Sequence, residues 1–346
     1  MTEYTTLGNL ITPAKVIRCG KGSYPVLSMT MHDGIVLQSD RFKKSLASID
    51  QSDYKVVKYG QLVVGFPIDE GVLYIQKAAP EGIMSPAYNV WDVDTTKIDA
   101  DYLELCLHSP QSMQYYSDKL RGTTARRRSI PTADLLALPI RLPSFEEQRA
   151  AVAIHAKMNT VIADRQQQLA YLDQLVKSRF IELFGDPITN DKDFPCKEGR
   201  SLFAFSSGKF LEEKKRMQEG IPVYGGNGIA WHTDSALIET PTLVIGRVGA
   251  YCGNVRMITE VAWITDNAIY IKEFKTDEFI LRFLHELMRY MNFSQFADFS
   301  GQPKITQKPL ESLRYIVPPI ELQEQFSTFV EQTDKSKLYS EMEVAA

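Results

Sequence analysis

A chain of 346 residues is too long for one ordinary domain and fits two of about 150 residues each. Its 44% hydrophobic and 24% charged residues exclude wholesale disorder, and no run approaches the roughly 20 apolar residues that a membrane helix needs. With 39 basic and 43 acidic side chains the net charge is −4, so any pull on nucleic acid has to come from local patches. The start, MTEYTTLGNL, lacks the basic-then-apolar order of a signal peptide, which points to the cytoplasm. Cys19, Cys106, Cys196 and Cys252 lie far apart without metal or disulfide spacing and read as buried free thiols.

The first elements are short apolar runs between turn residues. YKVVKYGQLVVGF (54 to 66) and GVLYIQ (71 to 76) read as strands, and ADYLELCLHSPQSMQYY (100 to 116) as a helix. Next, RGTTARRR places Arg121, Arg126, Arg127 and Arg128 within eight residues, a candidate phosphate contact that also reads as a solvated charged loop.

From 144 to 184 the pattern is one long helix. Ser144 and Glu147 form a capping box, and Gly185, Asp186 and Pro187 form a stop. Ile154, Met158, Ile162, Leu169, Leu172, Val176, Phe180 and Leu183 recur at steps of three, four or seven as one apolar stripe. At 1.5 Å per residue the rod is about 60 Å long and calls for a second rod beside it.

The second globule opens on a basic cluster, Lys209, Lys214, Lys215 and Arg216. IPVYGGNG then groups Tyr224, Gly225, Gly226 and Asn227, where glycine permits close backbone approach and Tyr and Asn offer hydrogen bonds. A plain turn with a buried tyrosine is the alternative. TPTLVIGRVGAYCGNVRMI and VAWITDNAIYIKEF read as strands, with Arg247 between two glycines, and DEFILRFLHELMRYMNF reads as a helix. FSGQPKI follows with Gln302, a side chain able to pair with a base edge, and Lys304. After Pro318 and Pro319 a shorter helical stretch carries Leu322, Phe326, Phe329, Val330 and Thr333 before turning polar.

Beneath these elements lies a repeat. A shift of 175 positions sets Ile130 on Ile305, Leu135 on Leu310, Leu138 on Leu313, Pro143 on Pro318, Glu146 on Glu321 and Gln148 on Gln323. Upstream, QLVVG resembles TLVIG and DYLELCLHS resembles EFILRFLHE. A unit this long is a duplicated domain rather than a solenoid repeat. The expected organisation is α+β: a globule (1–143), a long helix (144–185), a second globule (186–318) and a short C-terminal helix (319–346). An antiparallel rod pair would hold the lobes apart about an approximate twofold axis.

Catalytic signatures are missing. The chain has no phosphate-binding loop, nucleophile elbow, zinc helix or aminomethyltransferase Asn/Asp-Pro-Pro-aromatic motif. Its five histidines lack metal-ligand spacing. A metal-dependent nuclease can be assembled only from Asp266 and the Glu273-Phe274-Lys275 triplet.

In combination these features resemble the specificity subunits of type I restriction-modification systems. LPSFEEQRAAVAIHAKMNTVIADRQQQLAYLDQLVKSRFIELFGDP is similar to that family's central conserved region, PPIELQEQF to its second copy, and IPVYGGNG and SGQPKIT to segments of its target recognition domains. The resemblance implies a non-catalytic subunit in which two target recognition domains each read half of a split target in double-stranded DNA. Two methyltransferase subunits would dock on the helices, through Ile154, Met158, Leu169, Leu172, Val176 and Phe180, and restriction subunits would join. S-adenosylmethionine would sit on the methyltransferases, and this chain would carry no cofactor or metal. The expected DNA-binding residues are Arg121, Arg126, Arg127, Arg128, Lys209, Tyr224, Gly225, Gly226, Asn227, Arg247, Gln302 and Lys304. A coiled-coil scaffold that reads no bases is a third reading. The first globule departs from the pattern, with PVLSMT where the second has PVYGGN.

Overall fold

The computed structural model describes residues 3–41, 50–120 and 128–345, with side chains up to residue 339. Contacts divide the chain into two units, Met1–Thr160 and Val161–Ala346.

In the first unit, the strands Ile11–Pro13, Asn89–Val93, Leu62–Val64 and Leu73–Ile75 form one antiparallel sheet in that order. Side chains alternate across a strand, so an unbroken apolar run needs cover on both faces. Leu62 and Val64 pack with Leu103, Leu107 and Tyr116 from the helices Ala100–Leu107 and Pro110–Lys119. Val63 points the other way, into a smaller cluster with Leu27, Ile35, Val57 and Met84.

The second unit repeats the plan. Phe203–Ser207, Ala268–Phe274, Thr242–Gly246 and Val255–Ile258 pair antiparallel in the same order. Leu243 and Ile245 face a core with Phe283, Leu284 and Leu287 of the helix Leu281–Tyr290, and Val244 faces Ile258, Ile264 and Tyr270. The shift of 175 holds in three dimensions. It carries the strand Pro139–Arg141, paired with Tyr4–Thr6, onto Arg314–Ile316, paired with Cys196–Glu198, and the helix start Phe145 onto Ile320.

Gln148 and Gln323, equivalent in the repeat, are 1% and 0% exposed and do the same job. Gln148 accepts from the Asp99 amide at 2.8 Å and donates to the Pro143 carbonyl at 2.9 Å. Gln323 accepts from the Ile280 amide at 3.0 Å and donates to the Pro318 and Glu278 carbonyls, both at 2.9 Å. Each primary amide thus ties the entry of a helix that packs under its unit's sheet, Ala100–Leu107 or Leu281–Tyr290, to the segment that launches a long helix, satisfying backbone groups that burial cuts off from water.

The first long helix spans Phe145–Phe184 and the second Ile320–Ala345; the polar stretch after Thr333 stays helical. At the start of the first, the Glu147 amide donates to Ser144 Oγ at 3.3 Å, while the Glu147 carboxylate accepts from Ser144 Oγ and N at 2.8 and 2.9 Å. This is the expected capping box, and its bonds hold the Glu147 carboxyl below the usual carboxylate range. Gly185, in the left-handed region at φ 69°, ends the helix.

Within the second unit the two helices run antiparallel. Asp173 pairs with Lys337 at 2.6 Å, and further along the first helix Phe180 and Phe184 meet Phe326 at ring distances of 5.5 and 5.4 Å. The second rod lies along only the C-terminal part of the stripe, and Ile154 and Met158 are 61% and 57% exposed. The physical reason is length, since the partner helix has 26 residues against 40 and begins beside the C-terminal end of the longer one.

Candidate nucleic-acid interface

Three loops of the second unit converge. The strands Ile221–Gly225 and Gly228–Thr233 form a hairpin closed by the Gly225–Gly228 pair, with Gly226 and Asn227 as its two-residue tip. That tip lies on the end of the strand Thr242–Gly246: a Cβ on Gly226 would sit 3.3 Å from the Gly246 Cα, and one on Gly246 would strike the Tyr251 carbonyl at 2.1 Å. Glycine at both positions is what permits the approach.

Arg247 follows directly. Its amide donates to the Asn267 carbonyl at 2.9 Å, its guanidinium to the Asp266 carbonyl at 3.1 Å, and its own carbonyl accepts from the Ile305 amide at 2.9 Å. The Gly249 amide donates to the Pro303 carbonyl at 2.9 Å, which ties the third loop to the second. That third loop is closed by Asp298 and Lys304, whose amides and carbonyls exchange bonds of 2.8 and 3.1 Å, leaving Phe299, Ser300, Gly301 and Gln302 exposed at its tip. Lys209, exposed, is attached through its amide to the Ile264 carbonyl at 2.9 Å and through its carbonyl to Trp263 Nε1 at 3.0 Å. Gly225, Gly226, Asn227, Arg247, Gln302 and Lys304 therefore form one patch of glycine, amide and cation, with Lys209 reaching it through the strand end at Ile264.

Tyr224 is corrected. Its hydroxyl donates to Glu260 at 2.5 Å; burial and then this carboxylate push the phenol up to about 12, so the hydroxyl is engaged inside the unit. Arg128 is corrected as well. Its Nε lies 3.0 Å from Asp69 Oδ1 and its Nη2 on Glu70, while its carbonyl accepts from the Ile68 amide at 3.1 Å. Arg128 is thus an internal anchor of the first unit rather than a phosphate contact. Arg121, Arg126 and Arg127 lie outside the described residues. Replacing Arg128 by Ala leaves Asp69, 15% exposed, without its cation and should destabilise the first unit by about 2 kcal/mol in a urea titration; a change under about 0.5 kcal/mol contradicts the anchor.

Arg256 is a residue the sequence pattern did not single out. Exposed on the strand Val255–Ile258, it donates from Nη2 to the Asn227 carbonyl at 3.0 Å and braces the hairpin tip. Phe299, 66% exposed, and Tyr251, 43% exposed, flank the patch. Phe299 stands beside the SGQP segment, and that position was its one available signal.

Residues 197–343, which include this patch, match the family model of the type I restriction modification DNA specificity domain. Over that stretch the chain is similar to a type I DNA specificity domain. It is 27% identical over 170 residues to the Escherichia coli type I restriction enzyme EcoprrI specificity subunit, a match covering 49% of this chain and 41% of that protein. The chain thus spans about two fifths of that curated relative. The fold is that of the type I S subunit from M. genitalium, with a TM-score of 0.58 at 17% identity over 99% of this chain and 92% of the other. A chain solved in work on complex assembly and conformational transition of the type I R-M system gives 0.54 at 15% over the same shares. The α+β class matches these relatives.

Around the specificity domain, the remaining expected residues divide. Ile154 and Met158 are exposed and Leu169 and Leu172 half-buried, but Val176 and Phe180, at 6% and 1% exposure, are core residues of the second unit and cannot face a docked subunit. The pieces of the nuclease reading do not form one site. Asp266 precedes and Glu273 nearly ends the strand Ala268–Phe274, which sets them roughly 20 Å apart, and Lys275 Nζ is held on the Arg200 carbonyl at 2.8 Å. All four cysteines are free, Cys19 and Cys252 buried and the other two half-buried. Among the described residues no helix is long and apolar enough to cross a membrane.

Proposed function

We propose that this chain is the DNA-reading subunit of a type I restriction-modification complex, with each unit reading one half of a split target in double-stranded DNA. The observation that carries the reading is the convergence of three loops on Gly226, Asn227, Arg247, Gln302 and Lys304 inside the matched specificity domain. Cations there neutralise phosphates, and the Gln302 and Asn227 amides suit paired bonds to base edges in the major groove. The exposed face at Ile154 and Met158, flanked by Leu169 and Leu172, serves two methyltransferase subunits, and restriction subunits join them. Methyl transfer from S-adenosylmethionine and cleavage belong to those partners, so this chain acts without a cofactor or catalytic site of its own.

The test is methylome sequencing of cells carrying the chain with its partner subunits. The expected result is a modified motif in two short parts about one helical turn apart. Exchanging residues 186–318 for the matching segment of another specificity subunit should change one part and leave the other. A contiguous motif, or an exchange that alters both parts, overturns the reading.

A further inference from the structure

Behind the loop patch, a groove of about 500 Å³ runs between the strand Val255–Ile258 and the helix Leu281–Tyr290. Arg256 lines it from the strand. Arg282, His285 and Arg289 line it from the helix, and Asn254 and Asn292 sit at its edges. On the helix these residues follow steps of three and four, so they share one face while Phe283, Leu284 and Leu287 turn to the core. Among the described residues the lining holds three arginines, a histidine and no carboxylate.

Two acids touch its cations without lining it. Glu286, whose side chain is 9% exposed, accepts from Arg289 at 3.1 Å and contacts His285 Nδ1 at 2.9 Å. Asp334 of the C-terminal helix holds Arg282 at 2.9 Å. These contacts aim the cationic heads while leaving the Arg289 side chain half exposed. Arg282 and Arg289 are seven residues apart, about 10 Å along the helix, close to the rise of three nucleotides on one strand. Arg256 links the groove to the patch, because the same guanidinium that lines it holds the Asn227 carbonyl.

We propose that this groove is a phosphate-tracking surface for duplex DNA, which grips the backbone beside the bases met by the hairpin tip and reads no sequence itself. The proposal rests on the DNA-reading function above and adds a division of labour: the loops discriminate, the groove holds and sets register.

The test uses the full chain and two duplexes of unrelated sequence, each about three helical turns long, with binding measured across a salt series. The double variant Arg256→Gln, Arg289→Gln should bind both duplexes roughly tenfold more weakly and lower the slope of log K against log salt by about two. Asn254→Lys should act in the opposite direction, tightening both and raising the slope by about one, and this gain holds the proposal to account if the double variant folds poorly. Unchanged slopes in Asn254→Lys, or a loss confined to one duplex, overturn the groove while leaving the split motif of the methylome untouched. A wild-type chain that binds neither duplex overturns the groove, while the split motif of the methylome decides the DNA-reading function by itself.

Discussion

Replacing Phe326 by Ala should cost the second unit about 3 to 5 kcal/mol, among the largest effects available to one substitution in this chain. Phe326 is fully buried and forms the meeting point of the two long helices with the unit's last large helix. Its ring lies edge-on to Phe180 at 5.5 Å, Phe184 at 5.4 Å and Phe283 at 6.4 Å. Truncation removes the transfer energy of a phenyl group, leaves a cavity among rigid rings that cannot collapse into it, and deletes three edge-to-face contacts. Phe326→Leu, which keeps most of the volume, should lose well under half as much. Urea titration followed by hydrogen exchange checks the claim. Protection should fall across Leu281–Tyr290 and the C-terminal half of Phe145–Phe184, while Leu62–Val64 in the first unit keeps its own. A loss below about 1 kcal/mol, or one spread evenly over both units, contradicts the account of how the helices are joined.

The long helices were legible because their signals are local: a capping box at Ser144 and Glu147, a left-handed Gly185, and a stripe whose period needs no knowledge of its partner. The central strands were legible for the opposite reason. Leu62–Val64 and Thr242–Gly246 are covered on both faces, so their apolar runs are unbroken. Sheet order was hidden, because Leu62–Val64 takes Asn89–Val93 as a neighbour across two intervening strands, and such pairing leaves no local mark.

At the candidate site the sequence marked the parts and hid their assembly. The hairpin tip, Arg247, Gln302 and Lys304 each stand out in the sequence for their own chemistry, but their convergence depends on Gly226 meeting Gly246 across 20 residues. Arg128 and Tyr224 stand out in the sequence by chemical type, while what they do is decided by Asp69, 59 residues before Arg128, and by Glu260, 36 residues after Tyr224. A charge count over eight residues carries no information about a carboxylate folded against it. The stripe failed at Val176 and Phe180 in the same way, since an apolar residue at helical spacing looks the same whether it meets a docked subunit or its own core.

The equivalence of Gln148 and Gln323 was visible in the repeat, but its purpose was not, and it supports the second large prediction. Gln323→Leu removes bonds to Ile280 N, Glu278 O and Pro318 O, all shielded from water by a fully buried side chain. Each stranded backbone group costs about 1 to 3 kcal/mol, and leucine refills most of the space without satisfying any of them. The second unit should therefore lose about 3 to 4 kcal/mol. Gln148→Leu strands two groups, Asp99 N and Pro143 O, and should cost the first unit less, about 2 to 3 kcal/mol. Hydrogen exchange separates this mechanism from simple loss of packing. In Gln323→Leu the Ile280 amide and the first turn of Leu281–Tyr290 should exchange fastest, and in Gln148→Leu the Asp99 amide and the start of Ala100–Leu107. If the two substitutions are harmless, or if each loosens the opposite unit, the paired glutamines are not the ties that seat each long helix on its lobe.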